Sequence, residues 1–301
     1  MGKVLMKGNE AIGEAAIRAG CLNYFAYPIT PQSEVAEYLA RRLPEVGGVF
    51  LQGESEVAVS YMILGAAASG VRVFTTSSSP GISLMSEGVS YIAGMELPAV
   101  FVNIMRGGPG LGGILPSQAD YLQATKGIGH GDVRLLVMAP ASVQEAVEMV
   151  MLAFPLAEKY RNPVIVLGDG LIGQMMEPVE FPDDLATEPL NKDDWAVNGM
   201  DTRKSDQRNL LRSLYLDPEV LNSHNMALKE KYERMKNEEI RYEAYNIEGD
   251  YLVLIVSYGT MSRVCRTAID QLKAEGLEVG MIRPQTVFPF PEKAIEGAAD
   301  K

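Results

Sequence analysis

The sequence predicts an α/β protein with a doubly wound, mostly parallel sheet, followed by a second, smaller α/β unit. Within residues 9–180, short apolar runs alternate with segments of helical periodicity. The composition becomes polar and acidic after residue 180, and a new strand–helix–strand pattern begins near Asp250. Strands that alternate with helices favour a parallel sheet covered on both faces. A chain of 301 residues also suits one large domain plus a smaller one.

The large unit begins with a helix over "NEAIGEAAIRAG", where small and apolar residues recur at helical spacing as far as Gly20. The short strand "NYFAYPIT" follows, and Pro31 suits the first turn of the next helix. Further strands are predicted at the apolar runs "GVFLQ", "VRVFTTS", "PAVFVNIM", "VRLLVMAP" and "NPVIVLGD". A long helix separates the last two, with Ser142 as its N-cap. Because ligands of such sheets bind at the carboxyl ends of the strands, the loops after these runs form the candidate site.

These patterns divide the chain into a domain over 1–180, a polar linker with a charged helical arm over 181–248, and a small domain over 249–301. The arm contains Trp195 and a long charged helix. Its polarity favours a solvated arm or linker, and an intersubunit clamp is the alternative. One strand–helix–strand unit cannot bury both faces of a sheet. We therefore expect the small domain to be either cut short or completed by a neighbour.

Charge and cysteine content exclude several classes of function. The net charge of −12 disfavours binding to nucleic acid or to anionic membranes. No apolar run is long enough to span a bilayer, and the N-terminus lacks the apolar core of a signal peptide, so a cytoplasmic protein is expected. The two cysteines, Cys21 and Cys265, lie far apart in sequence. They predict neither a cysteine-ligated iron–sulfur cluster in this chain nor a disulfide framework.

Four loops at predicted strand ends carry polar or glycine-rich sequence: "YPITP", "GESE", "TTSSSPGIS" and "MRGGPGLGG". Each alone has an ordinary structural explanation, such as a helix cap, a tight turn or a surface ion pair. Together, at one edge of one sheet, they supply a carboxylate, hydroxyls, a guanidinium and exposed backbone N–H groups. Arginine can hold a carboxylate through two parallel hydrogen bonds, and glycine lets a ligand approach the backbone closely.

Six ordered motifs give the chain a specific likeness over nearly its whole length. They are "GNEAIGEAAIRAG", "YPITPQSE", "GESEVAVSYMILGAAASG", "TTSSSPGISLMSEG", "RGGPGLGG" and "PSQADYLQATKGIGHGD". In this order and spacing, the sequence resembles the α-type subunits of 2-oxoacid:ferredoxin oxidoreductases, which are thiamine-diphosphate enzymes. The forms "SSSPGISLM" and "PSQADYLQATKGIGHGD" are most similar to the branched-chain type, which acts on 3-methyl-2-oxobutanoate (2-ketoisovalerate). The resemblance implies a thiamine-diphosphate pyrimidine-binding fold and a transketolase C-terminal-like second unit.

The resemblance also implies roles for individual residues. In this family the glutamate that starts the helix after the second strand hydrogen-bonds N1′ of the cofactor's aminopyrimidine. Glu56 matches that position, and Glu54 is the alternative. Thr30 and Arg106 match the residues that would hold the carboxylate of the 2-oxoacid.

Four further residues are expected to help form the aminopyrimidine site, namely Tyr27, Pro28, Ser79 and Gly81. The segment "VLGDGLIGQ" contains Asp169 and looks like the start of a magnesium motif, but the asparagine pair that would complete it is missing. No metal ligand is therefore assigned to this chain. His130 is expected to have a structural role, with an approach to a partner or the active site as the alternative, and His224 is expected at the surface.

The resemblance implies only half of a cofactor site here. Thiamine diphosphate would be shared with a β-type subunit that holds the diphosphate and Mg²⁺, while iron–sulfur clusters would lie on partner subunits. Further expected partners are γ-type and ferredoxin-like subunits, CoA, the 2-oxoacid and ferredoxin. The alternatives are the same subunit type specific for 2-oxoglutarate or pyruvate, and a noncatalytic docking subunit. A self-contained thiamine enzyme is disfavoured because the magnesium motif is incomplete.

Overall fold

The computed structural model describes residues 2–182, 191–199 and 208–300. Alternating strands and helices occupy the first part, as the sequence predicts. Their bounds are β1 Val4–Lys7, α1 Gly8–Arg18, β2 Asn23–Ala26, α2 Ser33–Glu45, β3 Val49–Gln52, α3 Glu56–Ala68, β4 Val73–Ser77, α4 Ser79–Gly94, β5 Ala99–Met105, β6 Leu136–Met138, α5 Val143–Tyr160, β7 Pro163–Asp169, α6 Gly170–Gln174 and β8 Met176–Val179. The later elements are α7 Pro218–Glu238, β9 Tyr242–Tyr245, β10 Val253–Val256, α8 Gly259–Ala274, β11 Val279–Pro284, β12 Thr286–Phe288 and α9 Glu292–Ala299.

A seven-stranded sheet forms the centre, in the order β12-β6-β7-β5-β4-β2-β3. All neighbouring strands are parallel except β12, which runs antiparallel to β6. Helices α1, α2 and α5 contribute to the apolar cluster on one face, and α3 and α4 contribute to the cluster on the other. The expectation of a doubly wound, mostly parallel sheet is therefore confirmed.

The strand order places the candidate loops together. Strand β2 has β3 on one side and β4 on the other, so the chain reverses its direction of winding there. Such a reversal opens a crevice at the carboxyl ends of the strands. The loops that follow β2, β3, β4 and β5 all emerge at this edge.

The charged arm differs from the sequence expectation. Helix α7 buries Leu228, Tyr232 and Met235 against the cluster that also contains residues of α1 and α5. Lys231 on the same helix reaches Glu96 and the carbonyl of Arg161. Apolar residues thus recur along one face of α7 between its charged residues. This face packs on the chain's own first domain and is not solvated.

The second unit is also more interwoven than the sequence suggests. Its three-stranded sheet has the order β10-β11-β9, so β9 joins it although this strand precedes residue 249. Strand β12 instead returns to the large sheet beside β6. The division into 1–180, 181–248 and 249–301 stays a prediction. Strands β9 and β12 each belong to a sheet whose other strands lie on the far side of the predicted boundary at residue 249.

Within residues 2–182, 191–199 and 208–300, no helix is long and apolar enough to cross a membrane.

Candidate active site

Glu56 is the first residue of α3, and Ser55 caps this helix by accepting a hydrogen bond from the Ala58 N–H at 3.2 Å. The Glu56 side chain is only 5% exposed, whereas Glu54 is exposed. No residue in the described part of the chain hydrogen-bonds to the Glu56 carboxylate. A buried carboxylate without a partner at a helix N-terminus is suited to receive a hydrogen bond from a ligand.

Gly81 leaves the space that this carboxylate occupies. A β-carbon at Gly81 would come 2.7 Å from Glu56 Oε1 and 2.1 Å from Ser77 Oγ, closer than non-bonded atoms approach. Both oxygens therefore lie around one point above the Gly81 backbone. The Ser77 hydroxyl is buried and unpartnered among the described residues, as are those of Thr75 and Ser78. The end of β4 thus carries three unsatisfied hydroxyls, and that of Ser77 lies beside the carboxylate.

Arg106 joins the loop after β2 to the loop after β5. Its Nη1 donates to the Thr30 carbonyl at 2.9 Å, and its Nη2 donates to the Leu111 carbonyl at 3.0 Å. The side chain is 6% exposed, and its Nε is buried without a partner in the described part of the protein. The structure thus brings Arg106 and Thr30 together, with N–H groups of the guanidinium still uncommitted.

Ser79 is hydrogen-bonded to the backbone of Arg106, and its predicted contact with the cofactor stays a prediction. Its hydroxyl accepts a hydrogen bond from the Arg106 backbone N–H at 3.0 Å and donates to Asp120 Oδ2 at 2.6 Å. Asn103 completes the group, donating to Asp120 at 2.9 Å and accepting from the Ser79 N–H at 3.1 Å. Sequence reasoning did not single out Asn103 or Asp120. The motif containing Asp120 was noted only as part of the family resemblance.

The loop after β2 is held by hydrogen bonds from α1 and α6. Asn9 and Gln174 both donate to the Pro31 carbonyl, at 2.8 and 3.0 Å. Tyr27 is half-buried against the apolar cluster of α3 and α4, and Pro28 is exposed. The loop that carries Thr30 is therefore anchored on both sides. Tyr27 and Pro28 lie in this loop, and their predicted contact with a cofactor stays a prediction.

Asp169 has partners for both carboxylate oxygens. Oδ1 caps the short helix α6 by accepting from the Leu171 and Ile172 N–H groups at 2.9 and 3.1 Å. Oδ2 accepts a hydrogen bond from the Thr260 hydroxyl. These contacts give Asp169 a structural role, as a helix cap and as a link to the second unit. In the described part of the chain, no cluster of three or more His, Cys, Asp or Glu side chains could hold a metal ion.

The two histidines lie in different settings. His130 is exposed, and its Nδ1 lies 3.1 Å from the Ser90 hydroxyl. His224 differs from the expected surface residue, because it is half-buried and its Nε2 donates to the Gly94 carbonyl at 2.9 Å. It thereby ties α7 to the end of α4.

Comparison with known proteins identifies the family of the chain. The family model described as "Pyruvate flavodoxin/ferredoxin oxidoreductase, thiamine diP-bdg" matches residues 14–244, and "Pyruvate:ferredoxin oxidoreductase core domain II" matches 252–301. The chain is 50% identical to "Ketoisovalerate oxidoreductase subunit VorB" of Methanothermobacter thermautotrophicus, covering 100% of this chain and 84% of that protein. It is 35% identical to "2-oxoglutarate synthase subunit KorA" of Methanocaldococcus jannaschii, over 97% of this chain and 84% of that one.

A solved structure has the same fold. The 2-oxoglutarate:ferredoxin oxidoreductase of Magnetococcus marinus, solved with 2-oxoglutarate, coenzyme A and succinyl-CoA bound, superposes with a TM-score of 0.88 at 29% identity. The match covers 99% of this chain and 56% of that one, so the chain spans about half the length of this relative. The family and fold that the sequence predicted are both confirmed. This chain belongs to the thiamine-diphosphate-binding family of pyruvate flavodoxin/ferredoxin oxidoreductases.

Proposed function

We propose that this chain is the α-type subunit of a ferredoxin oxidoreductase that converts 3-methyl-2-oxobutanoate to an acyl-CoA and passes the electrons to ferredoxin. The observation that carries the proposal is the buried, unpartnered carboxylate of Glu56 at the edge of the sheet. The branched-chain substrate is favoured over 2-oxoglutarate because identity to the ketoisovalerate subunit is 50%, against 35% to a 2-oxoglutarate subunit.

The residues around Glu56 fit the aminopyrimidine of thiamine diphosphate. The carboxylate can hold a proton shared with ring atom N1′, and Gly81 keeps the space beside it free of a side chain. The unpartnered Ser77 hydroxyl adds a polar contact at the same point. When bound, the cofactor supplies the carbon nucleophile and the electron sink of the reaction. Glu56 contributes by holding a proton at N1′.

Arg106 and Thr30 are proposed to hold the carboxylate of the 2-oxoacid. Two guanidinium N–H groups already bind the Thr30 and Leu111 carbonyls, which fixes the plane of the side chain. Its remaining N–H groups, among them the buried Nε, can receive the substrate carboxylate. The Thr30 side chain is exposed beside it and can add a hydroxyl contact.

A partner subunit is proposed to complete the site. Helix α3 has no charged residue after Glu56, and Val57 and Tyr61 are 40% and 39% exposed on it. Further exposed apolar residues are Leu84 on α4 and, between β5 and β6, Leu111, Ile114, Leu115 and Leu122. Such a patch is typical of a protein interface. It supports a β-type subunit that holds the diphosphate and Mg²⁺, with iron–sulfur clusters, γ-type and ferredoxin-like subunits, CoA and ferredoxin bound elsewhere in the complex.

Replacement of Glu56 tests the cofactor role. In the complex reconstituted with native partners, we expect Glu56→Gln to lower CoA- and thiamine-diphosphate-dependent ferredoxin reduction at least about a hundredfold, because the amide cannot exchange a proton with N1′. Glu54→Gln is the matched control, since Glu54 is exposed two residues earlier, and it should retain wild-type turnover. Near-normal turnover of Glu56→Gln would refute the assignment, and loss in Glu54→Gln alone would transfer the role to Glu54.

Replacement of Arg106 tests the substrate role. We expect Arg106→Ala to raise KM for the 2-oxoacid about ten- to a hundredfold with a smaller change in kcat, because a charged hydrogen-bonding anchor is lost. Steady-state kinetics with a panel of 2-oxoacids measures this and the substrate preference together. An unchanged KM would contradict the proposed role of Arg106 in binding the substrate carboxylate.

Higher kcat/KM with 2-oxoglutarate or pyruvate than with 3-methyl-2-oxobutanoate would overturn the substrate assignment but keep the subunit type. A native complex without activity on any 2-oxoacid would favour the docking subunit.

A further inference from the structure

The loop after β5 is bonded to the second unit by a reciprocal pair of hydrogen bonds. Gln118 Nε2 donates to the Tyr258 carbonyl at 2.9 Å, and the Tyr258 hydroxyl donates back to the Gln118 carbonyl at 3.2 Å. The Tyr258 ring also packs on Tyr121, with 5.9 Å between ring centroids. Each residue donates through its side chain and accepts through its backbone carbonyl. The contact therefore fixes the backbone of the loop as well as the two side chains.

The contact lies close along the chain to the residues that position Arg106. Arg106 forms an isolated antiparallel bridge with Pro116, and the Gly107 N–H donates to the Leu115 carbonyl at 3.1 Å. Asp120, two residues beyond Gln118, binds Ser79, which in turn binds the Arg106 backbone. Gln118 therefore lies between two contacts that hold Arg106.

The second unit is anchored on the other side of Arg106 as well. Thr260 binds Asp169, and Asp169 is paired with Met105, the residue before Arg106, across the parallel strands β7 and β5. Gly259 lies between the two anchors with a φ of +58°, and a β-carbon there would come 2.7 Å from Gln118 Nε2. The start of α8 is thus fitted against the strand end and the loop that carry the arginine.

We propose that Gln118 and Tyr258 are positioning residues, through which the second unit holds Arg106 and its loop in the geometry that binds the substrate carboxylate. This inference rests on the proposed function of Arg106. Within this chain the segment between Arg106 and Pro116 has little burial, since Leu111, Ile114 and Leu115 are 81%, 62% and 74% exposed and belong to the surface proposed above for the partner subunit. The contacts that this chain itself gives the loop are therefore mainly those at its ends. The second unit therefore acts on substrate binding indirectly, by holding the loop that carries Arg106.

The test uses the reconstituted complex with Gln118→Met, which keeps the side-chain length but removes the amide donor, and Tyr258→Phe, which keeps the ring. We expect each to raise KM for the 2-oxoacid about three- to tenfold with kcat within about twofold of wild type. Tyr258→Phe should have the smaller effect, since its hydrogen bond is the longer one. Gly259→Ala should raise KM further because the added methyl group displaces the Gln118 amide.

Arg263→Gln is the matched control. Arg263 also lies on α8 and reaches the first domain, through Glu177 at 2.7 Å, but does not contact the loop that carries Arg106. We expect it to leave KM unchanged. An equal rise in KM for Arg263→Gln would show a general effect of domain docking and would overturn the proposal. So would an unchanged KM in Gln118→Met or Tyr258→Phe.

Arg106→Ala, measured in parallel, separates the two levels of inference. If Arg106→Ala raises KM and Gln118→Met does not, only the positioning role is lost. If Arg106→Ala itself leaves KM unchanged, the proposed substrate role of Arg106 fails. Thermal unfolding of Gln118→Met and Tyr258→Phe should stay within about 3 °C of wild type, since each loses one hydrogen bond, which has a small effect in a chain of this size.

Discussion

At the scale of the residue, Glu56 and Gly81 form one unit. The glutamate occupies the volume that any side chain at Gly81 would need. The three nearest atoms that such a side chain would meet belong to the side chains of Glu56 and Ser77, and not to the backbone. A substitution at Gly81 should therefore move the carboxylate without unfolding the protein.

We predict that Gly81→Ala weakens binding of thiamine diphosphate to the reconstituted complex at least about tenfold, because the methyl group pushes the Glu56 carboxylate away from N1′. Direct titration of cofactor binding measures this independently of turnover. Gly297→Ala is the matched control, since Gly297 also lies in a helix and a β-carbon there meets nothing within 4 Å. Equal cofactor affinity in the two variants would show that Glu56 does not need this position.

The same residues show what sequence can give at this scale. The two glutamates of "GESE" are indistinguishable by composition, and resemblance alone favours Glu56. The structure separates them because α3 begins at Glu56, which turns that side chain inward and leaves Glu54 in the exposed loop. The Ser79–Asp120 contact could not be foreseen, because it joins the first residue of α4 to a loop residue 41 positions further along the chain.

At the scale of the element, the charged helix α7 is bound to the first domain. Met235 is fully buried in the same cluster as residues of α1 and α5, whereas Met226 on the same helix is 48% exposed. The charge of this segment suggested solvation, but a helix needs only one apolar stripe to pack. The segment as a whole is polar, so the apolar stripe of Leu228, Tyr232 and Met235 was not evident from its average composition.

We predict that Met235→Ala lowers the free energy of unfolding by about 2–5 kcal/mol, because it removes buried methylene groups and leaves a cavity. Met226→Ala should change it by less than about 0.5 kcal/mol. Urea denaturation of the two variants beside wild type measures the difference. Similar small effects at both positions would mean that α7 is solvated in solution.

The pairing partners of strands β9 and β12 could not be predicted from the sequence pattern. The alternation of strands and helices correctly predicted the parallel core, because each βα unit carries its own local signal. Membership of a sheet is instead decided by pairing between distant residues. Strand β12 pairs with β6 and β9 pairs with β11, and neither partner can be read from the three or four residues of the strand itself.

At the scale of the whole molecule, three glutamates connect its parts through ion pairs. Burial alone would raise the pKa of Glu158, but hydrogen bonds from Arg72 and Lys192 outweigh burial, and its pKa is lowered. The same balance lowers the pKa of two further glutamates: Glu239, bound by Lys159, Tyr160 and Arg241, and Glu243, bound by Arg266 and Arg283. These pairs link α5 to the segment that contains Lys192, α5 to the end of α7, and β9 to α8 and β11.

The lowered pKa values predict a loss of stability in acid. Because the unfolded chain takes up protons that these folded carboxylates do not, the stabilisation is complete above about pH 5 and is lost as the pH falls below about 4. Urea unfolding between pH 7 and pH 3 measures this dependence. Glu243→Gln should reduce the proton uptake on unfolding in this range by up to about one proton. A slope equal to that of the wild type would show that the Glu243 ion pairs do not form in solution.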